Sequence, residues 1–184
     1  MFHQWARSKN PQSYNSWGNG SAMRVSPVGW AYNDLDTVLQ KAKESAEVTH
    51  NHPEGIKGAQ ATAASIFIDR TGKSKTKIKE YVEQNFNYDL NINLEDLRKN
   101  YRFNESCQET VPQAIYTFLI SGSFEDSIRK VIYIGGDSDT LAAINGSIAE
   151  AFYGGVPDEI VKDVYKRIDN RIPIILKDFR DKYL

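Results

Sequence analysis

Apolar side chains recur at helical spacing through most of this chain. Between Asn33 and Val48 the apolar positions that recur on one side are Leu35, Val38, Leu39, Ala42 and Ala46. This spacing predicts a helix that packs one stripe of its surface against a core. Pro53 fits the first turn of a second helix that continues towards Asp69. Clean strand alternation is hard to find, and no repeat of fixed period occurs.

The same pattern predicts further helices down the chain. Their expected positions are Ile78 to Phe86, a helix opened by Thr110-Val111-Pro112, a helix starting at Ser123, Asp139 to about Phe152, Pro157 to Ile168, and Pro173 to Tyr183. The stretch from Asn85 to Asn104 is rich in Asn, Tyr and Asp, which indicates a long irregular or lid-like segment. We therefore predict an all-α fold, a single compact multi-helix domain over residues 1–184.

Composition narrows the function classes. The chain has 184 residues, 40% of them apolar and 26% charged, with a formal net charge of −1. No Lys/Arg block occurs, so neither nucleic acid nor an anionic membrane is an expected partner. Cys107 is the only cysteine, which excludes a disulfide framework and a thiolate metal cluster. With no secretory segment and no apolar run of about 18 residues, we expect a cytoplasmic protein.

The densest candidate chemistry lies in Gly135-Gly136-Asp137-Ser138-Asp139-Thr140, directly before a small-residue helix. Crowded carboxylate and hydroxyl oxygens suit Mg²⁺, Mn²⁺ or Ca²⁺ rather than a soft metal. An EF-hand is excluded, because Leu141 and Ala142 occupy its fifth and sixth positions. Capping of the following helix by one of these side chains is the simpler alternative, and it stays open at this point.

Two other stretches are weaker signals. Trp17 to Arg24 contains a Gly-Asn-Gly loop whose amides could meet an anion, although such a loop is more often a plain turn. In Thr49-His50-Asn51-His52-Pro53 the two histidines could bind Zn²⁺, but no cysteine lies nearby and the ligand spacing is incomplete. A loop histidine that hydrogen-bonds a ligand or the backbone is the favoured interpretation.

Taken together, these stretches resemble the ADP-ribosylglycohydrolase family, the group that includes dinitrogenase reductase-activating glycohydrolase. The resemblance rests on several elements that occur in the family's order, over about residues 14 to 155. The matching elements are Gly18-Asn19-Gly20-Ser21-Ala22-Met23-Arg24 with Pro27-Val28-Gly29, Thr49-His50-x-His52-Pro53 with Gly58-Ala59, Glu109 to Ala114, Ser123 to Ile128, Gly135 to Thr140, and Ala149 to Gly154.

The resemblance implies an all-helical fold with a binuclear Mg²⁺ or Mn²⁺ centre in a cleft. It further implies metal-dependent hydrolysis of the glycosidic bond between ADP-ribose and an acceptor, either a side chain of an ADP-ribosylated protein, such as arginine or serine, or a small molecule. By the same resemblance, Asp137 and Asp139 are catalytic residues, and they bind the metal together with Thr140. The implied substrate-binding residues are Gly18, Asn19, Gly20, Ser21 and His50.

One family element has no match. Family members usually carry a Thr-Asp-Asp element in an N-terminal segment, which supplies the other half of the metal ligands, and no Thr-Asp-Asp occurs here. We therefore expect the chain to begin inside the family's fold, with self-association or a complementing N-terminal chain covering the exposed apolar surface. Two alternatives stay open: a non-catalytic ADP-ribose-binding remnant, and a helical interaction domain in which Asp137 and Asp139 only cap.

Overall fold

Helices joined by short loops make up the computed structural model, which describes residues 1–183. Over these residues no strand forms, and Gly18 and Ser106 pair only in an isolated antiparallel bridge. In chain order the helices are α1 (Phe2–Ala6), α2 (Gly20–Met23), α3 (Ser26–Ala31), α4 (Leu35–Glu47), α5 (Pro53–Arg70), α6 (Lys75–Phe86), α7 (Leu94–Asn100), α8 (Cys107–Leu119), α9 (Phe124–Ile134), α10 (Ser138–Tyr153), α11 (Asp158–Tyr165) and α12 (Arg171–Tyr183). The all-α prediction is confirmed.

Helix α5 lies at the centre, where it packs against α2, α3, α4, α6, α8 and α10. Its sequence explains this position, because small side chains let neighbouring helices approach closely. The buried small residues of α5 include Gly55, Gly58, Ala59, Ala61, Ala63 and Ala64. At Gly58 a Cβ atom would lie only 2.5 Å from Cys107 Sγ, so no larger residue fits without displacing α8.

Several predicted helix starts are confirmed. Helix α5 begins at Pro53, as expected. Helix α9 follows Ser123, whose Oγ accepts a hydrogen bond from the backbone N–H of Asp126 at 3.1 Å. This is the N-cap geometry that the serine predicts. None of the helices formed by residues 1–183 combines the length and the apolar character that a membrane crossing requires.

Two expectations about the middle of the chain are wrong. Helix α8 begins at Cys107 rather than at Thr110, because Ser106 caps it and Pro112 is accommodated inside the helix. The segment from Asn85 to Asn104 is not irregular throughout. It contains α7, whose first turn is capped by the Asn93 side chain.

One buried carboxyl group near the end of α5 has no hydrogen-bond partner among the described residues. Asp69 is 4% exposed, and both of its carboxyl oxygens lack a partner. The positive charge of Lys75 acts on the Asp69 carboxyl group from a distance. The ammonium of Lys75 itself donates to the carbonyl oxygens of Phe118 and Ser121 and to the hydroxyl of Tyr153. Burial raises the pKa of Asp69 to about 8, and the charge of Lys75 only partly opposes this rise.

We expect the substitution Asp69→Asn to stabilise the protein at neutral pH. Between about pH 4 and pH 8 the native state holds a proton on Asp69 that the unfolded chain releases, so the free energy of unfolding falls as the pH rises through this range. The neutral amide removes this dependence and should add about 4 kcal/mol at pH 7, with little gain at pH 4. Urea unfolding at both pH values measures the difference.

The exposed Asp178 on α12 offers a matched control, since its carboxylate makes no hydrogen bond or ion pair with the described residues. Asp178→Asn should leave the free energy of unfolding nearly unchanged at both pH values. Equal effects of the two substitutions, or a gain for Asp69→Asn that does not grow with pH, would contradict the assignment of a protonated Asp69.

Candidate active site

The acidic cluster lies on a tight turn between α9 and α10. Two glycines form this turn, with φ angles of 81° at Gly135 and 66° at Gly136. Only glycine adopts these angles without strain. The ring of Tyr101 covers the turn so closely that a Cβ atom on Gly136 would lie 2.7 Å from Tyr101 Cε1. The turn therefore fixes where Asp137, the next residue, begins its side chain.

Asp137 occupies the N-cap position of α10, but its side chain makes no cap hydrogen bond. Asp137 is 7% exposed, and its Oδ2 instead accepts a hydrogen bond from Asn19 Nδ2 at 2.9 Å. The two residues are 118 positions apart in the sequence. The capping interpretation is therefore wrong for Asp137, because the carboxylate faces the Gly-Asn-Gly loop rather than the amides of its own helix.

Asp139 and Thr140 follow on the first turn of α10. Asp139 is exposed, and its Oδ1 accepts a hydrogen bond from the backbone N–H of Thr140 at 3.0 Å. A hydrogen bond with the Asp137 side chain, and next the Thr140 amide, lowers the pKa of Asp139 below its usual range. The side chain of Thr140 is buried. Two carboxyl groups and one hydroxyl thus lie within four consecutive residues at the start of one helix.

Asn19 connects this cluster to two other parts of the chain. Besides Asp137, its side-chain amide donates to Thr110 Oγ1 at 3.2 Å and to the carbonyl oxygen of Asn104 at 3.3 Å. Its backbone N–H donates to the carbonyl oxygen of Glu105 at 2.7 Å. The Gly-Asn-Gly loop, the start of α8 and the acidic turn therefore form one connected polar site.

Buried side chains hold the rest of the Gly-Asn-Gly loop in place through hydrogen bonds to the backbone. Ser21 is fully buried, and its hydroxyl donates to the carbonyl oxygen of Gly55 at 2.7 Å. The thiol of Cys107 donates to the carbonyl oxygen of Gly18 at 3.1 Å, and burial raises the pKa of this thiol to about 11. The Ser21 hydroxyl is thus engaged with the backbone, and Cys107 is a neutral structural group.

His50 closes the other side of the loop. It is 7% exposed, and Cβ atoms built on Gly18 and Gly20 would each lie 3.4 Å from its Nε2. Burial, and then the charge of Arg24, lowers the pKa of His50 to about 4, so the imidazole is neutral at pH 7. His52 does not join it, because His52 Nδ1 accepts a hydrogen bond from the N–H of Glu54 as the cap of α5.

The acidic turn fits one divalent cation better than it fits two. Among residues 1–183 no group of three or more His, Cys, Asp and Glu side chains is arranged to hold a metal ion. Asp137, Asp139 and Thr140 offer hard oxygen donors, which would suit a divalent cation such as Mg²⁺. Mg²⁺ characteristically takes one or two protein carboxylates and completes its shell with water and substrate oxygens.

The roles of four residues in this site cannot be predicted from the sequence. Thr110 and the carbonyl group of Asn104 accept from Asn19, Tyr101 covers the acidic turn, and Arg24 acts on His50. Thr110 and Arg24 lie inside elements that match the family. Their roles depend on side-chain contacts between distant segments, which spacing along the chain does not reveal.

Comparison with known proteins gives a consistent result. A family model described as ADP-ribosylglycohydrolase matches residues 1–182. An uncharacterized protein of Archaeoglobus fulgidus is 30% identical over 163 residues, covering 80% of this chain and 53% of that protein. The human ADP-ribosylhydrolase ARH3 is 28% identical over 189 residues, covering 76% of this chain and 51% of ARH3. The ADP-ribosylarginine hydrolase Tri1 of Pseudomonas putida is 27% identical over 155 residues, covering 80% of this chain and 42% of Tri1.

A solved structure of an ADP-ribosylglycohydrolase-related protein complex has the same fold. It aligns with a TM-score of 0.68 and 22% identity, covering 87% of this chain and 60% of that one. The chain spans about half of the length of the curated relatives it matches. Since the family model extends over nearly every residue, the chain belongs to the ADP-ribosylglycohydrolase family.

Proposed function

We propose that this chain hydrolyses the glycosidic bond between ADP-ribose and an acceptor, either a protein side chain or a small molecule, in a reaction that needs Mg²⁺ or Mn²⁺. The observation that carries the proposal is the hydrogen bond from Asn19 to Asp137. It joins the Gly-Asn-Gly loop to the acidic turn and leaves the Asp137 carboxylate available in the site instead of capping α10.

In this proposal Asp137, Asp139 and Thr140 hold the cation. A bound cation supplies Lewis acidity and a fixed position for ribose hydroxyls and water. The side chains of the protein orient the Asp137 carboxylate and accept a proton from water. Asn19 fixes the rotation of the Asp137 carboxylate through one oxygen. Asp139 is exposed, so its carboxylate would accept a proton from the water whose oxygen bonds to the glycosidic carbon. The bond between this carbon and the acceptor breaks in the same step, and the acceptor leaves with a proton from solvent.

The Gly-Asn-Gly loop is the proposed place of the diphosphate. Backbone amides of glycine-rich loops can approach phosphate oxygens because no side chain intervenes. Gly18 and Gly20 also face His50, where a Cβ atom would approach the imidazole. The amides of Gly18 and Asn19 already donate to Ser16 Oγ and to the carbonyl oxygen of Glu105, so the loop amides proposed for the diphosphate are those of Gly20 and Ser21. The carboxylates of the acidic turn then face the sugar end.

The test measures release of ADP-ribose from ADP-ribosylated arginine and serine substrates, with Mg²⁺, with Mn²⁺ and with a chelator. The expected result is release that depends on the cation and stops in the chelator. Calorimetry with free ADP-ribose runs in parallel. If the folded protein neither releases nor binds ADP-ribose, the proposal is wrong.

A second function is favoured by one specific observation. The acidic turn contributes only two carboxylates, and no third His, Cys, Asp or Glu side chain joins them in the part of the chain described. A site with this donor set can bind ADP-ribose without turning it over. Binding of free ADP-ribose without any release of ADP-ribose from the substrates would select this non-catalytic function.

A further inference from the structure

His50 is oriented by a hydrogen-bond chain that begins at Arg24. Arg24 Nη2 donates to Thr49 Oγ1 at 3.0 Å, and Thr49 Oγ1 lies 2.7 Å from His50 Nδ1. Arg24 is itself held by the carbonyl oxygen of Ser45 at 2.9 Å, in the last turn of α4. Thr49 is 1% exposed, so water does not compete for its hydroxyl.

The direction of this chain follows from the number of protons available. Thr49 Oγ1 receives the guanidinium N–H of Arg24 and has one proton of its own to donate. Within residues 1–183 the acceptor near that hydroxyl is His50 Nδ1. A neutral imidazole that accepts at Nδ1 carries its proton on Nε2. The hydroxyl of Thr49 therefore selects one of the two neutral tautomers of His50.

We propose that Arg24 and Thr49 are positioning residues, which hold His50 in the Nε2–H tautomer with this donor directed at the Gly18–Gly20 loop. The inference rests on the proposed function, since an N–H donor at this loop is useful for a diphosphate oxygen. Arg24 then acts on the ligand through Thr49 and His50, because its guanidinium is turned towards α4 and Thr49.

In this arrangement Arg24 donates to the carbonyl oxygen of Ser45 and to Thr49, so the donor offered to a phosphate oxygen is the imidazole of His50. Burial of His50, and then the charge of Arg24, lowers the pKa of the imidazole, which is therefore neutral at pH 7. A neutral donor of fixed direction forms one directional hydrogen bond, whereas a free cation would attract any anion. The chain of hydrogen bonds thus favours selectivity for a correctly placed phosphate oxygen over general attraction.

The test reads the tautomer directly and does not need turnover. Nitrogen-15 spectra of histidine side chains distinguish a protonated from an unprotonated ring nitrogen, and His50→Gln assigns the His50 signals. We expect Nε2 protonated and Nδ1 unprotonated in the parent chain at pH 7. In Thr49→Val this preference should be lost, while Thr49→Ser should keep it, because serine retains the hydroxyl.

Affinity for ADP-ribose provides the second readout. Loss of one oriented hydrogen bond should weaken binding about tenfold in Thr49→Val, and Thr49→Ser should restore it. Arg24→Gln should weaken binding less than Thr49→Val, because the hydroxyl remains. Circular dichroism confirms that each variant is folded, and if Thr49→Val does not fold, the parent spectrum still decides, because a proton on Nδ1 overturns the inference.

The outcomes separate this inference from the proposed function. A parent spectrum with the proton on Nδ1 would overturn the inference, and so would an unchanged tautomer and affinity in Thr49→Val. If the parent binds no ADP-ribose at all, the proposed function fails while the spectrum still reports whether Arg24 and Thr49 set the tautomer.

Discussion

Asp137→Asn is expected to reduce the cation-dependent release of ADP-ribose by about 100-fold to 1,000-fold. The amide has nearly the same shape as the carboxylate, so the fold of the turn should be preserved. It lacks the negative charge that a divalent cation needs. Only its amide oxygen can accept the hydrogen bond from Asn19 Nδ2, so the NH₂ group takes the place of the other carboxylate oxygen, where it cannot bind a cation. Measurement of initial rates at saturating Mg²⁺ gives the effect.

Ser138 provides the matched control on the same turn. Its side chain makes no hydrogen bond with the described residues, so Ser138→Ala changes the helix start without touching the Asn19–Asp137 contact. Its rate should stay within about twofold of the parent rate. Retention of parent activity in a folded Asp137→Asn, or equal losses in both variants, would remove Asp137 from the reaction.

The parts of the fold that the sequence predicts are those that local chemistry determines. Helix α5 is predictable because Pro53 suits a first turn and because alanines follow at helical spacing. Helix α9 is predictable because Ser123 is a strong N-cap residue. In both cases the signals lie within one or two helical turns of the boundary that they set.

The short helices near the loop could not be predicted in this way. Helix α2 covers only Gly20–Met23, too few residues for a periodic pattern, and it starts with a glycine, which disfavours helices. Contacts between distant segments stabilise it, such as the hydrogen bond that the hydroxyl of Ser21 donates to the carbonyl oxygen of Gly55. For α8 the local signal is misleading, because Pro112 favours a helix start nearby, whereas Ser106 sets the start of the helix.

In the candidate site, too, the local features are predictable from the sequence and the contacts between distant segments are not. The acidic residues and the Gly-Asn-Gly loop are visible in the sequence because each is a compact run of unusual composition. Their connection through Asn19 is not visible, since it joins residues that are 118 positions apart. The orientation of His50 by Arg24 is equally hidden, because it depends on where the end of α4 lies.

Gly136→Ala is expected to lower the free energy of unfolding by about 2–5 kcal/mol. Two costs add. At a φ of 66° a side chain is strained by about 1–2 kcal/mol, and the new methyl would meet the Tyr101 ring at 2.7 Å and the carbonyl carbon of Arg102 at 3.1 Å. Because backbone lies on one side, the contact cannot be relieved by rotating a side chain alone.

Gly72→Ala separates these two costs. Gly72 has a φ of 79°, close to that of Gly136, but a Cβ atom there would meet nothing within 4 Å. It should therefore lose only the strain of about 1–2 kcal/mol. Urea unfolding of both variants gives the difference, which measures the contact with Tyr101 and Arg102.

A smaller side chain at position 101 tests that assignment further. If the ring of Tyr101 causes part of the loss, Gly136→Ala and Tyr101→Leu together should cost less than the sum of the two single substitutions. Equal losses for Gly136→Ala and Gly72→Ala would show that the turn can shift away from Tyr101. In that case the contact with Tyr101 would not fix the position from which the Asp137 side chain begins.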